Sequence, residues 1–348
     1  PDGTYKAVGF MDGDGISEDM VRIEVAVTLD VGAVTIDFAG SSPQLKGPFN
    51  CSLSSVQAAC YCAVRYMVDP AILQNEGCYR PITIRLPEGS VVSPIKPAPL
   101  SGRFHTLERI ATTIVQAFNG ARGDEAVANG HGHLTSFSTS GRKPQTGSTF
   151  VLFEYHGGGW GGTSRCDGLD ATFGLMANSF DNPVEAIEMA YPLLVEKYEF
   201  VPDSGGAGKH RGGLGLRKQI KYLQGTGYFT NRSDATRFGA AGTLTGEDGR
   251  PARHGLKRAD GRLEVLPSKA TNLTIAAGDT MILETAGGGG YGSPLEREPE
   301  RVLRDVIDGK VTQTAAAEVY GVVIDPERRS IDQGATQRRR AGMRPNRN

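Results

Sequence analysis

The chain has 348 residues, of which 39% are hydrophobic and 22% charged, and its 38 Lys and Arg nearly balance its 39 Asp and Glu for a net charge of −1. This balance argues against nucleic acid or an anionic membrane as the main partner, since both recruit strongly basic surfaces. No apolar run approaches the roughly 18 residues of a membrane-spanning helix, and no signal peptide is visible.

The first predicted elements are a hairpin and a helix. Residues 23–29 and 34–38 alternate apolar and polar side chains across a short link, which predicts two antiparallel strands. Residues 54–68 are apolar at helical spacing, and this helix is expected to end ahead of Asp69 and Pro70, because proline restricts the residue before it.

The middle of the chain predicts two strands and a second helix. Residues 82–86 have strand character, and residues 87–99 carry enough prolines to indicate an extended connector. Helical periodicity returns over 103–118. Residues 149–155 form a strand that leads into the loop HGGGWGG at 156–162.

The second half alternates short helices with a strand-rich region. Residues 183–190 predict a helix with proline at its first position. Residues 198–285 are rich in strands and turns, and 299–308 and 312–320 predict two short helices. The predicted fold class is therefore mixed α/β (α+β), β-rich, with Gly-rich loops and a short helical C-terminal region.

Composition divides the chain into three parts. We expect an N-terminal mixed α/β part over 1–150, a Gly-rich, β-rich core with C-terminal helices over 151–325, and a basic, flexible tail over 326–348. The arginines of that tail are Arg338, Arg339, Arg340, Arg344 and Arg347.

The cysteines indicate a reducing compartment. There are five, an odd number that does not predict a disulfide framework in a chain of this length. Cys60 and Cys62 form a single C-x-C in an apolar stretch without a second pair at zinc-site spacing, so we predict core thiols. We infer a cytoplasmic protein.

Glycine motifs are the most distinctive local feature. Two loops fit G-x-G-x-x-G, but neither opens a helix in the way a dinucleotide site requires, so sharp turns or bulges are the favoured interpretation. Their glycines are Gly157, Gly159, Gly162, Gly287, Gly289 and Gly292. The stretch DSGGAGKHRGG at 203–213 could gather backbone N–H groups and three cationic side chains around an anion. A structural turn is the favoured alternative from local chemistry alone.

Histidines and acid pairs give weaker signals. His131 and His133 form an H-x-H that could begin a metal site, but without a definable third ligand a solvent-facing pair is favoured. His105 is expected on a helix surface. Asp12 and Asp14 lie in a turn that lacks the twelfth-position Glu of a calcium loop.

Several short segments, taken together in their order along the chain, are more informative than any single motif. Each segment alone is a weak signal, but the ordered set is specific. These segments are PDGTY at 1–5, MDGDG at 11–15, IDFAGSS at 36–42, GPFN at 47–50, NEG at 75–77, RPI at 80–82, DNPVE at 181–185, DSGGAGKHRGG at 203–213, GGGGYGSP at 287–294 and YGVV at 320–323. In this order they resemble the hydantoinase B/oxoprolinase family up to about residue 325, and the chain is similar to the C-terminal two-thirds of such a catalytic component.

The resemblance implies a reaction and a partner. Members of the family work with a hydantoinase A-like subunit of the actin-like ATPase type, which would hold ATP and Mg²⁺. Phosphorylation turns an inert amide, lactam or enol oxygen into a good leaving group, and the activated carbonyl is then hydrolysed. Similar subunits of acetone and acetophenone carboxylases handle bicarbonate and an enol phosphate.

The chain departs from the family at its start. Family members carry an N-terminal segment with a His/Asp-rich stretch that resembles a divalent-metal site, and this sequence begins after that point. We therefore expect the metal in that segment or in a companion chain, and we assign no metal ligand here.

The leading hypothesis is a component of an ATP-dependent complex that opens a cyclic amide such as a lactam, hydantoin or oxoproline. The alternatives are a ketone carboxylase subunit and a non-catalytic scaffold between an ATPase and a metal-bearing subunit. The anion-binding candidates are Asp203, Ser204, Gly205, Gly206, Lys209 and Arg211. The catalytic candidates are His156, Asp167 and Glu185.

Overall fold

The computed structural model describes residues 1–69 and 71–343. The strands, numbered in chain order, are β1 (Gly3–Met11), β2 (Val21–Asp30), β3 (Ala33–Asp37), β4 (Ile82–Arg85), β5 (Thr135–Arg142), β6 (Thr149–His156), β7 (Leu193–Phe200), β8 (Leu216–Tyr222), β9 (Thr226–Arg232), β10 (Arg253–Lys257), β11 (Leu263–Leu266), β12 (Lys269–Ala276), β13 (Thr280–Glu284), β14 (Ile324–Asp325) and β15 (Ser330–Ile331). The helices are α1 (Leu53–Met67), α2 (Glu76–Tyr79), α3 (Arg103–Arg122), α4 (Val184–Ala190), α5 (Pro299–Ile307), α6 (Gln313–Glu318) and α7 (Gln333–Met343). The predicted fold class is confirmed.

The first sheet has the strand order β1-β2-β3-β4 and packs against α1 and α3. Side chains along β2 alternate, so that Val21, Ile23 and Val25 are buried and the residues between them are not. This two-residue period is what a strand covered on one face requires. The helices contribute Val56 and Ile110 to the same core. Both helices and the β2–β3 hairpin were predicted, and they are confirmed.

The second half of the chain contains two facing sheets. One has the order β11-β10-β13-β8-β7, and the other has the order β12-β9-β5-β6. Phe137 and Phe229 of the second sheet share a core with Ile220 and Leu283 of the first, as in a β-sandwich. The predicted domain boundary after residue 150 lies inside β6. Phe137 of the preceding strand, β5, already belongs to the core of this sandwich.

The C-terminal helices form a third, smaller core. Val302 of α5, Val311 and Tyr320 are buried together with Ala207 of the glycine loop. Thr312 caps α6 by accepting the N–H of Ala315 (3.1 Å), which satisfies a donor that the first helical turn leaves free.

The segment predicted to be a basic, flexible tail has regular secondary structure over much of its described part. It forms β15 and α7, and α7 is attached through arginine. Arg339 donates to the carbonyl of Ala317 (2.6 Å), and Arg340 donates to that of Tyr320 (3.0 Å). Carbonyl groups around the C-terminus of α6 attract cations, so these arginines serve as attachment points. Arg344 and Arg347 lie outside the described residues.

No helix within residues 1–69 and 71–343 combines the length and the apolar character that crossing a bilayer requires.

Candidate functional site

The predicted anion loop, residues 203–213, lies against the glycine loops that follow β6 and β13. The N–H of Gly206 donates to the carbonyl of Gly288 (2.8 Å), and the N–H of Gly213 donates to that of Trp160 (2.7 Å). These donors are therefore occupied by the protein's own carbonyl groups and do not converge on an open anion site.

The glycines of these loops permit close approach of backbone to backbone. A Cβ atom added at Gly159 would lie 1.9 Å from the carbonyl oxygen of Gly213, and one added at Gly213 would lie 1.9 Å from that of Leu169. Neither glycine has a positive φ. The sequence predicted sharp turns or bulges here. In the structure these two positions require glycine because a side chain would collide with a neighbouring backbone carbonyl.

Polar residues of the loop hold its own shape. Asp203 accepts the N–H of Thr312 (2.8 Å), which ties the loop to the start of α6. The hydroxyl of Ser204 accepts the N–H of Gly215 (2.9 Å). Lys209, in contrast, is exposed, so its ammonium group remains accessible to a ligand or a partner.

Arg211 and Asp167 belong to a buried ion-pair network. Arg211 is 3% exposed and donates to Asp170 (3.1 Å). Asp167 accepts two bonds from Arg297 (2.7 and 2.8 Å), which also donates to Asp305 (2.7 Å). Burial alone would raise the pKa of Asp167, but the hydrogen bonds and charge of Arg297 lower it below its usual value. The network joins the glycine loop to α5.

His156 lies at the end of β6, opposite Thr135 of β5, and is 1% exposed. Its ring stacks on Phe137 with centroids 5.4 Å apart, and its Nδ1 lies 3.6 Å from Asp181 Oδ1. Neither ring nitrogen has a hydrogen-bond partner among the described residues. A buried imidazole beside a carboxylate and without a fixed partner is chemically able to exchange a proton.

The neighbouring strand residue is equally buried but fully paired. Glu154 accepts the ammonium of Lys218 (2.8 Å), and this pair connects the two sheets of the sandwich. The side chain of Asn182 also donates to Glu154 (3.3 Å). Glu185, the third catalytic candidate, is exposed on the first turn of α4 and lies outside these contacts.

A second buried cluster surrounds Asp12, just after the end of β1. The N–H of Asp12 donates to Asp234 Oδ1 (2.6 Å), and the backbone and side chain of Thr236 both donate to Asp12 Oδ2 (2.7 Å each). The ammonium of Lys269 lies 3.6 Å from Asp234, which has no exposed surface. The cluster therefore connects the first sheet to the sandwich.

Two clefts flank Asp12. We call the first the inner cleft; it has a volume of about 130 Å³, and its polar lining residues are Asp12, Thr112, Arg109, Gln116, Asn129 and His131. We call the second the outer cleft; it has a volume of about 280 Å³ and is lined by Asp12, Ser17, Thr236, Ser268 and Lys269 among others. Polar groups converging on a concave surface are typical of small-molecule sites.

The histidines near these clefts are buried, unlike the predicted surface positions of His105, His131 and His133. Burial lowers the pKa of His105 to about 3, that of His131 to about 4 and that of His254 to about 3. The pKa of His133 is also far below its usual value, mainly through burial and then through the nearby His131. All four are therefore neutral at pH 7.

Neutral His133 has a defined tautomer. Its Nδ1–H donates to the carbonyl of His131 (2.6 Å), which leaves Nε2 to accept the hydroxyl of Thr135 (3.3 Å). His131 Nε2 lies 3.1 Å from the carbonyl of Thr172. Both histidines of the H-x-H pair therefore bond to groups inside the protein.

Metal ligation finds no support in the described parts of the chain. No group of three or more His, Cys, Asp or Glu within 1–69 and 71–343 is arranged to hold a metal ion. These residues do not fit the divalent metal that the family resemblance implies, and no chemical step is routed through one.

Sequence reasoning missed most of the residues around Asp12. The DGDG turn drew attention to Asp12, but Arg109 is one polar position in an amphipathic helix, and His254 stands alone on β10. Asp234 and Asp12 are 222 positions apart, so no local pattern connects them.

Comparison with known proteins shows a match along most of the chain. The profile described as Hydantoinase B/oxoprolinase matches residues 1–294. A protein of Pseudomonas sp. (strain NS671), named as part of a D-/L-hydantoinase, is 37% identical over 336 residues, which are 93% of this chain and 56% of that protein. The chain thus spans about half the length of this curated relative.

Two solved structures superpose on nearly all of the chain. The ATP-dependent caprolactamase of Pseudomonas jessenii has a TM-score of 0.84 at 27% identity, covering 98% of this chain and 60% of that one. A nucleotide-free acetone carboxylase also has a TM-score of 0.84, at 22% identity, covering 98% and 52%. The second likeness establishes a common fold alone.

Proposed function

The chain belongs to the hydantoinase B/oxoprolinase family, and on that premise we propose that it is a component of an ATP-dependent complex that opens a cyclic amide such as a lactam, a hydantoin or oxoproline. ATP and Mg²⁺ would be held by a hydantoinase A-like partner subunit. The divalent metal would come from residues outside this chain.

The observation that carries the proposal is the likeness to the ATP-dependent caprolactamase, which extends over 98% of the chain at 27% identity. The acetone carboxylase superposes equally well but at 22% identity. Ring opening is therefore the better supported reaction, and carboxylation of a ketone is the competing outcome that experiment must exclude.

Hydrolysis of a cyclic amide has two requirements. The amide oxygen must be activated, because amide resonance makes the carbonyl a poor electrophile, and water other than the attacking molecule must be kept out. We propose that phosphorylation occurs with the partner's ATP and that the polar clefts beside Asp12 hold the ring during hydrolysis. Their shape and converging polar groups support this assignment.

We propose His156 as the proton-transfer group. Its unpartnered ring nitrogens and Asp181, whose Oδ1 lies 3.6 Å from Nδ1, support that role, since neither nitrogen is tied up by a hydrogen bond and a nearby carboxylate stabilises the imidazolium that forms when the ring takes a proton. Asp167 and Glu185 remain weaker catalytic proposals, because Asp167 is held by Arg297 and Glu185 is exposed.

We further propose that Lys209 is the phosphate-contacting residue of the loop 203–213. Its exposure supports that role, whereas the buried pairing of Arg211 with Asp170 supports a structural one. In the intact complex, Lys209→Ala should lower amide-dependent ATP use about 10-fold through loss of a charge-assisted contact. Lys257→Ala, which removes an exposed lysine of β10, is the matched control. Equal activity of the two variants would leave the loop with a scaffolding role.

The deciding experiment reconstitutes the complex with its ATPase partner and measures ADP release with each candidate substrate. Hydantoin, oxoproline or caprolactam should stimulate ADP release and yield the ring-opened acid. Stimulation only by a ketone together with bicarbonate, with a carboxylated product, would replace ring opening by carboxylation. The absence of both would favour a non-catalytic scaffold.

A further inference from the structure

The inner cleft contains a cation without a hydrogen-bonded counter-ion. Arg109 projects from α3 towards β1 and the 130–133 loop: a Cβ atom added at Gly9 would lie 2.8 Å from its Cδ, and one added at Gly132 would lie 3.1 Å from Nη1. Its Nε has no hydrogen-bond partner, and its guanidinium forms no salt bridge with any described residue. A guanidinium left unpaired in a cleft is poised for an external acceptor.

Two uncharged donors accompany this cation. The side-chain amides of Gln116 and Asn129 line the same cleft, and neither is engaged by another side chain or backbone group in the described chain. His131 adds no positive charge, because burial keeps its imidazole neutral at pH 7. Glu108 acts on Arg109 only through space, since its carboxylate accepts backbone N–H groups instead. The donors are thus one fixed guanidinium and two amides, a set that matches a planar oxyanion.

The cleft also contains an acceptor. Asp12 lines it, and the two hydrogen bonds from Thr236 reach only Oδ2 of its carboxylate. A carboxylate beside the anion site repels a dianion but accepts a hydrogen bond from a ligand donor. Val8, Phe10 and Phe238 supply apolar walls. The lining therefore selects a monoanion that carries its own N–H or O–H group.

The cleft volume sets the size of the ligand. At about 130 Å³, it approaches the roughly 150 Å³ of an engineered cavity that accommodates benzene. A single five- or six-membered ring, or a smaller ion with water, fits this space. A nucleotide does not.

We propose that the inner cleft is a recognition site for a planar monoanion with an adjacent hydrogen-bond donor, in which Arg109 pairs the oxyanion and Asp12 accepts the donor. Two sources share this chemistry: the carboxylate of a cyclic amide substrate, and bicarbonate. The first source rests on the proposed ring-opening function; the site itself does not. Arg109 would then distinguish acidic from neutral cyclic amides.

Calorimetric titration of the purified complex tests this inference without turnover. The probes are oxoproline, its uncharged ring pyrrolidone, bicarbonate and inorganic phosphate. Arg109→Gln should weaken oxoproline binding by about 10- to 100-fold, the usual loss for a charge-assisted pair, and leave pyrrolidone binding unchanged. If bicarbonate is the anion, its binding should show the same loss while oxoproline binds no better than pyrrolidone. Phosphate should bind more weakly than either monoanion.

Two further variants keep the result interpretable. Arg122→Gln, on the same helix but in an exposed pair with Glu125, should bind every probe like the unchanged protein. Arg109→Lys retains the charge if Arg109→Gln does not fold, and it should lose part of the affinity because an ammonium cannot bond in a bidentate manner.

The outcomes separate this inference from the proposed function. Equal binding of the monoanions by the unchanged protein and both Arg109 variants, or no monoanion binding at all, overturns the site even if the complex opens lactams. Arg109-dependent monoanion binding in a complex without amide-dependent ATP use supports the site and removes the ring-opening function.

Discussion

Asp167 has a structural role that the sequence around it did not indicate. It holds Arg297, which is 1% exposed, with two hydrogen bonds, and Arg297 continues to Asp305. Asp167→Asn should therefore destabilise the fold by about 2–3 kcal/mol, somewhat less than the loss of a fully buried pair because Arg297 keeps its second partner. Urea unfolding measures this change.

Glu185→Gln is the matched control for Asp167→Asn. Glu185 is exposed, so its substitution should change stability by less than about 0.5 kcal/mol. The contribution of Asp167 is full above its unfolded pKa of about 3.9 and is lost as the pH falls through its lower folded value. Unchanged stability of Asp167→Asn together with abolished amide-dependent ATP use would instead support the catalytic assignment of Asp167.

His156 gives the opposite expectation. Its ring nitrogens have no partner among the described residues, and its ring stacks on Phe137. His156→Phe removes no hydrogen bond and should leave the unfolding free energy unchanged or higher. If His156 transfers a proton, kcat should fall by about 100-fold or more. Retained kcat in a folded variant would exclude His156 from the reaction.

The local sequence pattern marked the loop 203–213 as unusual, but it did not indicate the role of each residue in the loop. The partners of Arg211 are Asp170 and Asp305, which are distant in sequence and carry no spacing rule. The same holds for Asp12 and Asp234. Long-range ion pairs and clefts depend on tertiary packing, so the site at Arg109 could not be predicted from the sequence alone.

At the scale of elements, the glycine loops depend on the absence of side chains. A Cβ atom at Gly213 would lie 1.9 Å from the carbonyl oxygen of Leu169, a contact that backbone movement alone could relieve. Gly213→Ala should cost several kcal/mol, about the scale of an overpacked core. Gly342→Ala is the control: on α7 its added Cβ meets nothing within 4 Å, and alanine should raise helix stability by up to about 1 kcal/mol. Equal thermal stability of the two variants would contradict the packing argument.

Helix α3 carries a buried acid whose titration is unusual. Burial raises the pKa of Glu108 to about 7, although the N–H groups of Met176 and Leu175 act to lower it. A raised folded pKa means that stability falls as the pH rises from about 4.5 to 7, by on the order of 3 kcal/mol. Glu108→Gln should remove that loss, so the variant should be the more stable protein at pH 8 and not at pH 4.5. Unfolding at the two pH values measures the difference.

The predicted elements were those with a clear period. The β2–β3 hairpin, α1 and α3 follow from apolar spacing. Strand β5 did not, because its sequence TSFSTSGR is rich in hydroxyl groups. It nevertheless lies between β6 and β9, where Thr135 bonds to Ser233 (2.9 Å). Burial of hydroxyls that find partners is a tertiary effect that hydrophobic periodicity does not record.

At the scale of the whole molecule, polar groups gather where the first sheet meets the sandwich. Asp12 from one side meets Asp234 and Thr236 from the other, and the clefts open on this junction. Apolar packing within each layer supplies stability, whereas the junction contains the unpaired and neutralised groups. Under the proposals made above, a ligand in either cleft would lie at the contact between layers, where it could alter their packing.

The same junction makes the fold sensitive to acid. His105, His131, His133 and His254 have lowered folded pKa values, so the unfolded chain binds protons that the fold excludes. His105, His131 and His254 should therefore each cost about 2 kcal/mol of stability between pH 6.5 and pH 5, and His133 should act in the same direction. The combined loss from the four histidines exceeds the roughly 3 kcal/mol of stability that protonation of Glu108 restores as the pH falls over a similar interval.

We therefore expect the unfolding free energy to fall steeply as the pH is lowered from 6.5 to 5. His254→Leu should reduce that slope by about one proton, because His254 has no hydrogen-bond partner in the described chain whose loss would complicate the comparison. Urea unfolding at several pH values gives the slope directly. A free energy that stays constant over this range would mean that these histidines take up protons in the folded state, which would contradict burial as the reason for their low pKa values.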